Sequence, residues 1–171
     1  MNHLEPKIYV SCLAAYNNGY MHGTWIDALQ DVDALHGDVK KILASSPIRN
    51  ADEWAIHDYE GFGDIRIEEY TGLSEISELA VFLAEHGELG AAAYAYSNNI
   101  ADALKMLEEN YHGEFVSEED FAYYWTHEMD CREIPEYLEH YIDYQVMARD
   151  LFINDFLSLA INDKVHVFSY F

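Results

Sequence analysis

Hydrophobic and polar residues alternate along three short stretches near the start of the chain. Because successive side chains of a β-strand point to opposite faces, this alternation predicts strands over residues 7–16, 20–27 and 53–59. The Asn-Asn-Gly sequence at residues 17–19 favours a turn, so the first two strands are expected to form a hairpin. Together with one helix, these strands predict an N-terminal domain over residues 1–62.

Apolar residues recur at the spacing of a helix between the second and third strands, and again after the third. They predict a helix over residues 32–43, with Asp31 placed to cap its first turn. Helical spacing then dominates residues 63–111, which predicts a helical middle domain. Within that domain Ser74 is expected to cap one helix, and a further helix is expected over residues 100–111.

The last part of the sequence mixes both patterns and predicts a C-terminal domain over residues 112–171. Ser117 and the three acids that follow it resemble a capping box, which predicts a helix over residues 118–127. A longer helical pattern covers residues 136–159, and alternation over residues 164–171 predicts a closing strand. The order of mixed, helical and mixed segments predicts an α+β protein of three small domains.

Acidic residues outnumber basic residues by 32 to 9, which gives the chain a formal net charge of −23 at pH 7. Self-repulsion at such a charge destabilises the compact state, so the acidity must either serve a function or be screened by salt. A halophilic origin would explain the acidity but not the 14 tyrosines. Nucleic acids and anionic membranes would repel the protein, so direct binding to either is not expected.

Neither export nor a membrane anchor is expected from the sequence. The N-terminus lacks a basic and apolar signal segment, and the most apolar run, residues 89–96, is far shorter than the ~20 residues that cross a bilayer. Cys12 and Cys131 show neither metal-site spacing nor a disulfide framework, which is typical of a reducing compartment. The sequence therefore predicts a cytoplasmic protein.

The densest acidic stretch lies between residues 108 and 155 and is threaded with aromatic residues. The aromatic residues indicate a folded surface, because an acidic run without them could not bury enough apolar area to fold. A single acidic helix usually serves solubility, but here acids recur along the whole chain, and fixed negative charges suit a basic, DNA-binding groove. The predicted acidic surface consists of Glu108, Glu109, Glu114, Glu118, Glu119, Asp120, Glu128, Asp130, Glu133, Glu136, Glu139, Asp143 and Asp150.

Two groups of polar residues contain potential metal-binding or catalytic side chains. Residues 127–131 contain potential metal ligands, but zinc sites use ligand pairs that are two to four residues apart and repeated elsewhere. His57 and Asp58 are neighbours on a predicted strand and should point to opposite faces, so they do not form an acid–base pair. Without a nucleophile elbow, phosphate loop or EF-hand, neither an enzyme nor a cofactor is predicted. An enzyme that uses His57 or His127 stays a third alternative.

Three sequence blocks stand out. They are IYV…LAAYNNG…HGTWID within residues 8–27, EWAIHDYEGF at residues 53–62, and YIDY…ARDL within residues 141–151. These blocks resemble the ArdA-type antirestriction family. The similarity extends from about residue 8 to residue 171, and its first two blocks are the more specific ones. The resemblance implies three small domains in an elongated, curved rod, and an origin on mobile genetic elements.

The resemblance also implies a partner. Proteins of this kind imitate B-form DNA and occupy the DNA-binding surface of type I restriction-modification enzymes, without catalysis or a cofactor. They form homodimers through the third domain, and Tyr141, Tyr144, Met147 and Phe152 are the candidate interface residues here, although packing inside that domain would also account for them. The alternative hypothesis is an acidic adaptor that binds another basic protein through a local groove.

Overall fold

The computed structural model describes residues 4–129 and 133–170, which form a mixed α+β structure with two small antiparallel sheets. The chain divides into two compact units, Met1–Ile100 and Ala101–Phe171. The α+β class predicted from the sequence is confirmed. The division into three domains and the curved rod stay predictions.

The first unit combines a three-stranded sheet with helices. Its elements are β1 (Lys7–Cys12), α1 (Leu13–Asn17), β2 (Gly23–Asp27), α2 (Val32–Ala44), β3 (Trp54–Glu60) and α3 (Leu73–Ser97). β1 is the central strand of the sheet, with β2 and β3 antiparallel on either side. Ile8 and Val10 of β1 are fully buried, and Ile56 of β3 is nearly so. The central strand therefore supplies core residues, as its alternation predicts.

The first predicted strand is shorter than the sequence pattern indicated. Leu13–Asn17 forms α1, so the prediction of a strand over residues 7–16 is wrong at its end. The backbone N–H of Tyr20 donates to the carbonyl of Ala15 at 3.0 Å, a local hydrogen bond that takes the place of strand pairing. β2 begins three residues later than predicted, at Gly23. Its antiparallel pairing with β1 confirms the predicted strand partners.

The helices of the first unit begin at identifiable caps. Asp31 caps α2 as predicted, because its side chain accepts a hydrogen bond at 2.8 Å from a backbone N–H in the first turn. The cap predicted for α3 is wrong: α3 follows Gly72, and the Ser74 hydroxyl instead donates to the Glu78 carboxylate at 3.2 Å. Gly87 interrupts α3 with φ 56° and ψ −145°, a conformation that favours glycine.

Cys12 ends β1 inside the core of the first unit. Its side chain is fully buried, and its Sγ atom lies 3.3 Å from the hydroxyl of Ser46. Ile76, Leu79 and Leu83 form a buried stripe on α3, as the helical spacing predicts. Sheet and helices thus contribute aliphatic side chains to the core.

From residue 100 onward, helices alternate with a second sheet. The elements are α4 (Ile100–Lys105) with a π-helical turn (Met106–Asn110), β4 (Tyr111–Phe115), α5 (Glu118–Tyr124) with a π-helical turn (Trp125–Met129), α6 (Glu136–Glu139), α7 (Tyr144–Asn154), β5 (Phe156–Ile161) and β6 (Lys164–Ser169). The sheet order is β4-β6-β5, antiparallel throughout. The predicted helices over residues 100–111 and 118–127 and the strand within residues 164–171 are confirmed. β4 was not predicted; its pairing with β6 shifts register before Gly113.

The predicted helix over residues 136–159 is wrong. The segment divides into α6 and α7, because Asp143 caps a new helix, and the chain after Asn154 forms β5. A tight turn joins β5 to β6, in which Asn162 and Asp163 have φ values of 49° and 61°. Asn and Asp tolerate this left-handed conformation better than most residues, and paired positive φ angles suit a two-residue hairpin loop. The turn therefore favours a hairpin over a continued helix.

Candidate acidic interaction surface

Most side chains of the predicted acidic surface are exposed. Of its 13 residues, 12 lie in the described parts of the chain, and Asp130 lies outside them. Glu118 and Glu139 are partly buried, and the other ten can reach a partner from solvent. These ten are Glu108, Glu109, Glu114, Glu119, Asp120, Glu128, Glu133, Glu136, Asp143 and Asp150.

Hydrogen bonds fix two of the three acids in the first turn of α5. The Ser117 hydroxyl accepts from the backbone N–H of Asp120 at 3.1 Å, which confirms the predicted cap. The Asp120 carboxylate accepts in turn from the backbone N–H of Val116 at 3.2 Å. The Ser158 hydroxyl on β5 donates to the Glu118 carboxylate. The charges at this helix end therefore have defined positions.

An aromatic cluster supports α5. Phe121, Phe156 and Val167 are buried at its centre. The ring centroid of Phe121 lies 4.8 Å from that of Phe156, 5.1 Å from Phe115 and 5.5 Å from Phe152. Aromatic pairs of this kind contribute about 0.5–1.5 kcal/mol each beyond the area they bury. The acids of α5 are thus carried by a helix that packs on a dense core.

A groove beside α7 combines carboxylates with apolar side chains. Asp143 caps α7, because its carboxylate accepts from the backbone N–H of Val146 at 3.0 Å. Asp143 and Asp150 are seven residues apart, which is about 10.5 Å along a helix axis. That length corresponds to about three phosphate repeats of one DNA strand. The groove, called the α7 groove below, encloses about 500 Å³ and is lined by residues that include Asp143, Val146, Met147, Asp150, Leu151 and Asp155.

Three of the four candidate interface residues show different degrees of packing. Tyr141 is 83% exposed. Phe152 is partly buried and packs against Phe121 in the aromatic cluster. Met147 is partly buried, and its sulfur lies 3.2 Å from the Thr126 hydroxyl oxygen. Packing inside the unit therefore accounts for Phe152 and Met147 and leaves Tyr141 exposed, while the interface itself stays a prediction.

The fourth candidate, Tyr144, forms a hydrogen bond with His127, with 2.8 Å between its hydroxyl oxygen and Nε2. Burial raises the pKa of Tyr144, and the nearby Glu139 and Tyr123 raise it further. The phenol therefore stays protonated at neutral pH. His127 Nε2 also lies 3.8 Å from the Glu139 carboxylate. Tyr144 and Glu139 therefore both contact the same ring nitrogen of His127.

Basic residues offset little of the negative charge in the second unit. Residues 101–171 contain 16 acidic and 4 basic residues, so the 16 acids cannot be paired one to one with Lys or Arg. Lys164 lies 3.9 Å from Glu114, and Arg149 lies 3.3 Å from Asp150. Exposed pairs of this kind contribute about 0–1 kcal/mol. The unit therefore keeps a strongly negative surface.

Two histidines of the second unit pack among aromatic rings. The ring of His112 lies 5.2 Å from that of Phe156, and its buried Nε2 has no hydrogen-bond partner among the described residues. Burial lowers the pKa of His112. His166 lies 2.8 Å from the Tyr111 hydroxyl, and burial lowers its pKa although Glu114 opposes the shift. Neither histidine stood out in the sequence, because a lone histidine carries no spacing signal.

A β-bulge places His57 beside a pocket of the first unit. Val10 pairs with Ile56 and Tyr9 pairs with Asp58, so His57 is the extra residue on β3. The bulge removes the strict alternation on which the prediction for His57 and Asp58 rested, and both residues are exposed. The pocket, called the β3 pocket below, encloses about 470 Å³ and is lined by Tyr16, Ile56, His57, Tyr59, Ile67 and Glu69.

Neither a metal cluster nor a membrane-spanning helix occurs in the described residues. Within residues 4–129 and 133–170, no group of three or more His, Cys, Asp or Glu side chains is placed to hold a metal ion. Asp130 and Cys131, two of the potential metal ligands within residues 127–131, lie outside those residues. Across the same parts of the chain, every helix is too short or too polar to cross a bilayer.

Fold, charge and exposed carboxylates together define a small α+β protein with a strongly acidic surface. The sequence model of the family described as Antirestriction protein (ArdA) matches residues 8–164, which is nearly the whole chain. The chain therefore belongs to the ArdA antirestriction family, and the resemblance seen in the sequence is confirmed. A comparison with curated protein sequences gave no match.

Proposed function

We propose that the protein is a non-catalytic inhibitor that imitates B-form DNA and occupies the DNA-binding surface of type I restriction-modification enzymes. Membership of the ArdA family supports the antirestriction role. The observation that carries the mechanism is the exposure of ten acidic side chains in a chain of net charge −23. A basic cleft that binds DNA through ionic contacts with its phosphates can make contacts of the same kind with a matching array of carboxylates.

Inhibition by this mechanism depends on the positions and the number of the carboxylates and involves no chemical step. The enzyme's Lys and Arg side chains, which would contact phosphates, contact carboxylates on α5, α6 and α7 instead. The aromatic cluster includes residues of α5 and α7, so little ordering entropy of these two helices is lost on binding. While the cleft is occupied the enzyme cannot bind DNA, and incoming DNA escapes cleavage and modification.

Competition with DNA tests this proposal. A purified type I restriction-modification enzyme and labelled duplex DNA are mixed with increasing amounts of the protein at two salt concentrations. Displacement of DNA at near-stoichiometric protein is expected, and it should weaken steeply with salt because each ionic contact released adds to the salt slope. Displacement that does not depend on salt would contradict the electrostatic mechanism, and no displacement at either salt would overturn the proposal.

We also propose that two copies pair through the C-terminal domain in the cytoplasm. The exposed ring of Tyr141 supports this, since interface centres are enriched in tyrosine. Equilibrium sedimentation at low micromolar concentration tests it, with Tyr141→Ser expected to weaken the dimer. Tyr137, which is 72% exposed, provides the matched control Tyr137→Ser. A monomeric wild type, or equal effects of both variants, would count against this interface.

The acidic adaptor remains the second candidate, and the α7 groove favours it. An apolar floor with a carboxylate rim is what a basic, amphipathic segment of a partner would fit. The double variant Asp150→Asn, Asn154→Asp keeps the net charge and moves one carboxylate by about one turn along α7. An adaptor should lose its partner on this change, whereas a DNA mimic should keep most of its affinity for the restriction enzyme.

A further inference from the structure

The β3 pocket forms where the chain returns to the outer edge of the first sheet. The backbone N–H of Ile56 donates to the carbonyl of Glu69 at 2.9 Å, which fixes residue 69 beside β3. Ile56 and Ile67 are buried and form an apolar floor. Tyr16 reaches the pocket from α1. Three separate segments therefore bring one carboxylate and two tyrosines to one concave site.

The walls of the pocket are held by ring contacts. Tyr16 meets His57 edge-on, with ring centroids 4.8 Å apart and an interplanar angle of 78°. Tyr59 packs edge-on against the buried Phe62, with centroids 6.0 Å apart. Tyr16 is 52% exposed, so its ring is available to a ligand from outside. The bulge at His57 interrupts the alternation of β3, and the His57 side chain lines the pocket.

We propose that the β3 pocket binds the guanidinium group of an arginine side chain of the basic partner. A guanidinium is a flat cation that stacks on aromatic rings and donates paired hydrogen bonds to a carboxylate. Tyr16 and Tyr59 supply the rings, and Glu69, whose side chain is half-exposed, supplies the carboxylate. The identity of the partner rests on the proposed function, whereas binding of an arginine side chain by the pocket does not.

Charge and shape favour arginine over other ligands. The first unit carries 16 acidic and 5 basic residues, so an anion would be repelled. A neutral aromatic ligand would form no ion pair with the Glu69 carboxylate, whose neighbour in the pocket is His57 Nε2 at 3.9 Å. A lysine ammonium is a compact and strongly hydrated charge, which gains less from ring faces than a guanidinium does. The pocket would thus give a partner one fixed point of attachment within a diffuse field of carboxylates.

Titration with small arginine compounds tests the pocket directly. Backbone and ring NMR signals of the whole protein are followed with N-acetyl-arginine amide, N-acetyl-lysine amide and the neutral N-acetyl-citrulline amide at constant ionic strength. Saturable shifts at Tyr16, His57 and Glu69 are expected with the arginine amide, with about threefold weaker binding of the lysine amide. Equal binding of the citrulline or lysine amide, or no shift at the pocket residues, would overturn the proposal.

Two variants with matched controls separate the pocket from general electrostatics. Tyr16→Ala and Glu69→Gln should each weaken binding of the arginine amide about fivefold, which corresponds to about 1 kcal/mol. Tyr70→Ala and Glu53→Gln remove the same chemical groups at exposed positions outside the pocket, so a change of less than about twofold is expected. Equal losses in the variants and in their controls would show diffuse attraction only.

DNA displacement from a type I enzyme then shows whether the partner uses the pocket. Failure of the wild type to displace DNA would overturn the proposed function and leave the arginine amide result intact. Failure to bind the arginine amide would overturn the pocket and leave displacement intact. When the wild type does both, Tyr16→Ala should require about fivefold more protein for displacement than Tyr70→Ala does. Equal displacement by these two variants would refute a role of the pocket in the complex.

Discussion

The two units of the chain carry nearly the same negative charge on very different lengths of chain. Residues 1–100 contain 16 acidic and 5 basic residues, and residues 101–171 contain 16 and 4, so their net charges are −11 and −12. The second unit therefore bears about one and a half times as much charge per residue, and its self-repulsion is correspondingly stronger.

The cores of the two units also differ in composition. The first is mainly aliphatic, with Ile8, Leu35 and Leu79 buried, whereas the second is built on rings such as Phe121 and Phe168. Aromatic residues number 11 in residues 1–100 and 14 in residues 101–171. Because one aromatic side chain buries about 150–250 Å², a short chain gains a large core from a few of them. The second unit thus depends on a few large buried rings, whereas the first depends on many smaller aliphatic side chains.

The largest expected effect follows from removing the central ring of the aromatic cluster. Phe121→Ala should lower the free energy of unfolding of the second unit by about 3–5 kcal/mol, because the side chain is fully buried. Hydrogen exchange of the second unit and urea denaturation measure this loss. Tyr137→Ala, at a 72% exposed position, is the control and should cost less than about 0.5 kcal/mol. Similar losses in both variants would contradict the role of the cluster.

Two variants that each neutralise four acids, one in the first unit and one in the second, have the same net charge and allow the two surfaces to be compared. We expect the set in the second unit to weaken binding to a type I enzyme about tenfold, or about 1.4 kcal/mol, and to reduce its salt slope. The four changes in the first unit should weaken this binding less. Equal losses of affinity from the two sets would show that charge density does not affect binding. The second-unit set is Glu119→Gln, Glu128→Gln, Glu133→Gln and Glu136→Gln. The first-unit set is Asp52→Asn, Glu53→Gln, Asp64→Asn and Glu85→Gln.

Removing one helix cap from each unit should produce a smaller effect. Asp31→Ala and Asp143→Ala each delete a carboxylate that accepts a backbone N–H in the first turn of a helix. Each change should lower the free energy of unfolding by about 1 kcal/mol. Thermal unfolding measures the loss, and Asp31→Asn and Asp143→Asn, which keep an accepting oxygen, should recover most of it. No recovery in the Asn variants would indicate that the charge, and not the cap, matters.

Acidification should weaken the second unit through His112. Burial lowers the pKa of this histidine below its ordinary value near 6.5, so the unfolded chain binds the proton more readily. The stabilising contribution is therefore complete above about pH 6.5 and is lost as the pH falls below that value. Urea denaturation midpoints of the wild type should fall more between about pH 7.5 and about pH 5 than those of His112→Phe.

The matched control for this pH effect lies in the first unit. His36 is exposed, so His36→Gln removes one histidine without opening a cavity in the core. Titration of the carboxylates is common to all three proteins and cancels in the difference between them. Identical pH dependence in the wild type and His112→Phe would refute the assignment to His112.

The fold could be predicted where each element has one buried face. β1, α2 and the stripe on α3 follow from spacing alone, because a core lies on one side of each. The break within residues 136–159 could not, since apolar residues keep a helical spacing across it. The break is caused by Asp143, which caps a new helix through a backbone hydrogen bond, and by the Asn162-Asp163 turn, whose dihedral angles suit a hairpin.

The candidate surface was partly predictable for a similar reason. Composition indicated an exposed acidic face, and the described members of that face are exposed or partly exposed. The β3 pocket was not predictable, because it depends on a register shift at His57 and on contacts of β3 with Tyr16 and Glu69. Such contacts join residues that are distant in the sequence and leave no periodic pattern.

The burial of Cys12 makes its thiol a reporter of local opening in the first unit. A fully buried thiol cannot react with a reagent in water until the surrounding structure opens. The rate at which a thiol reagent labels Cys12 in the native protein therefore reports how often the end of β1 becomes exposed. The labelling rate of Cys12, measured with and without a bound partner, would show whether binding at the protein surface slows the opening of the first sheet.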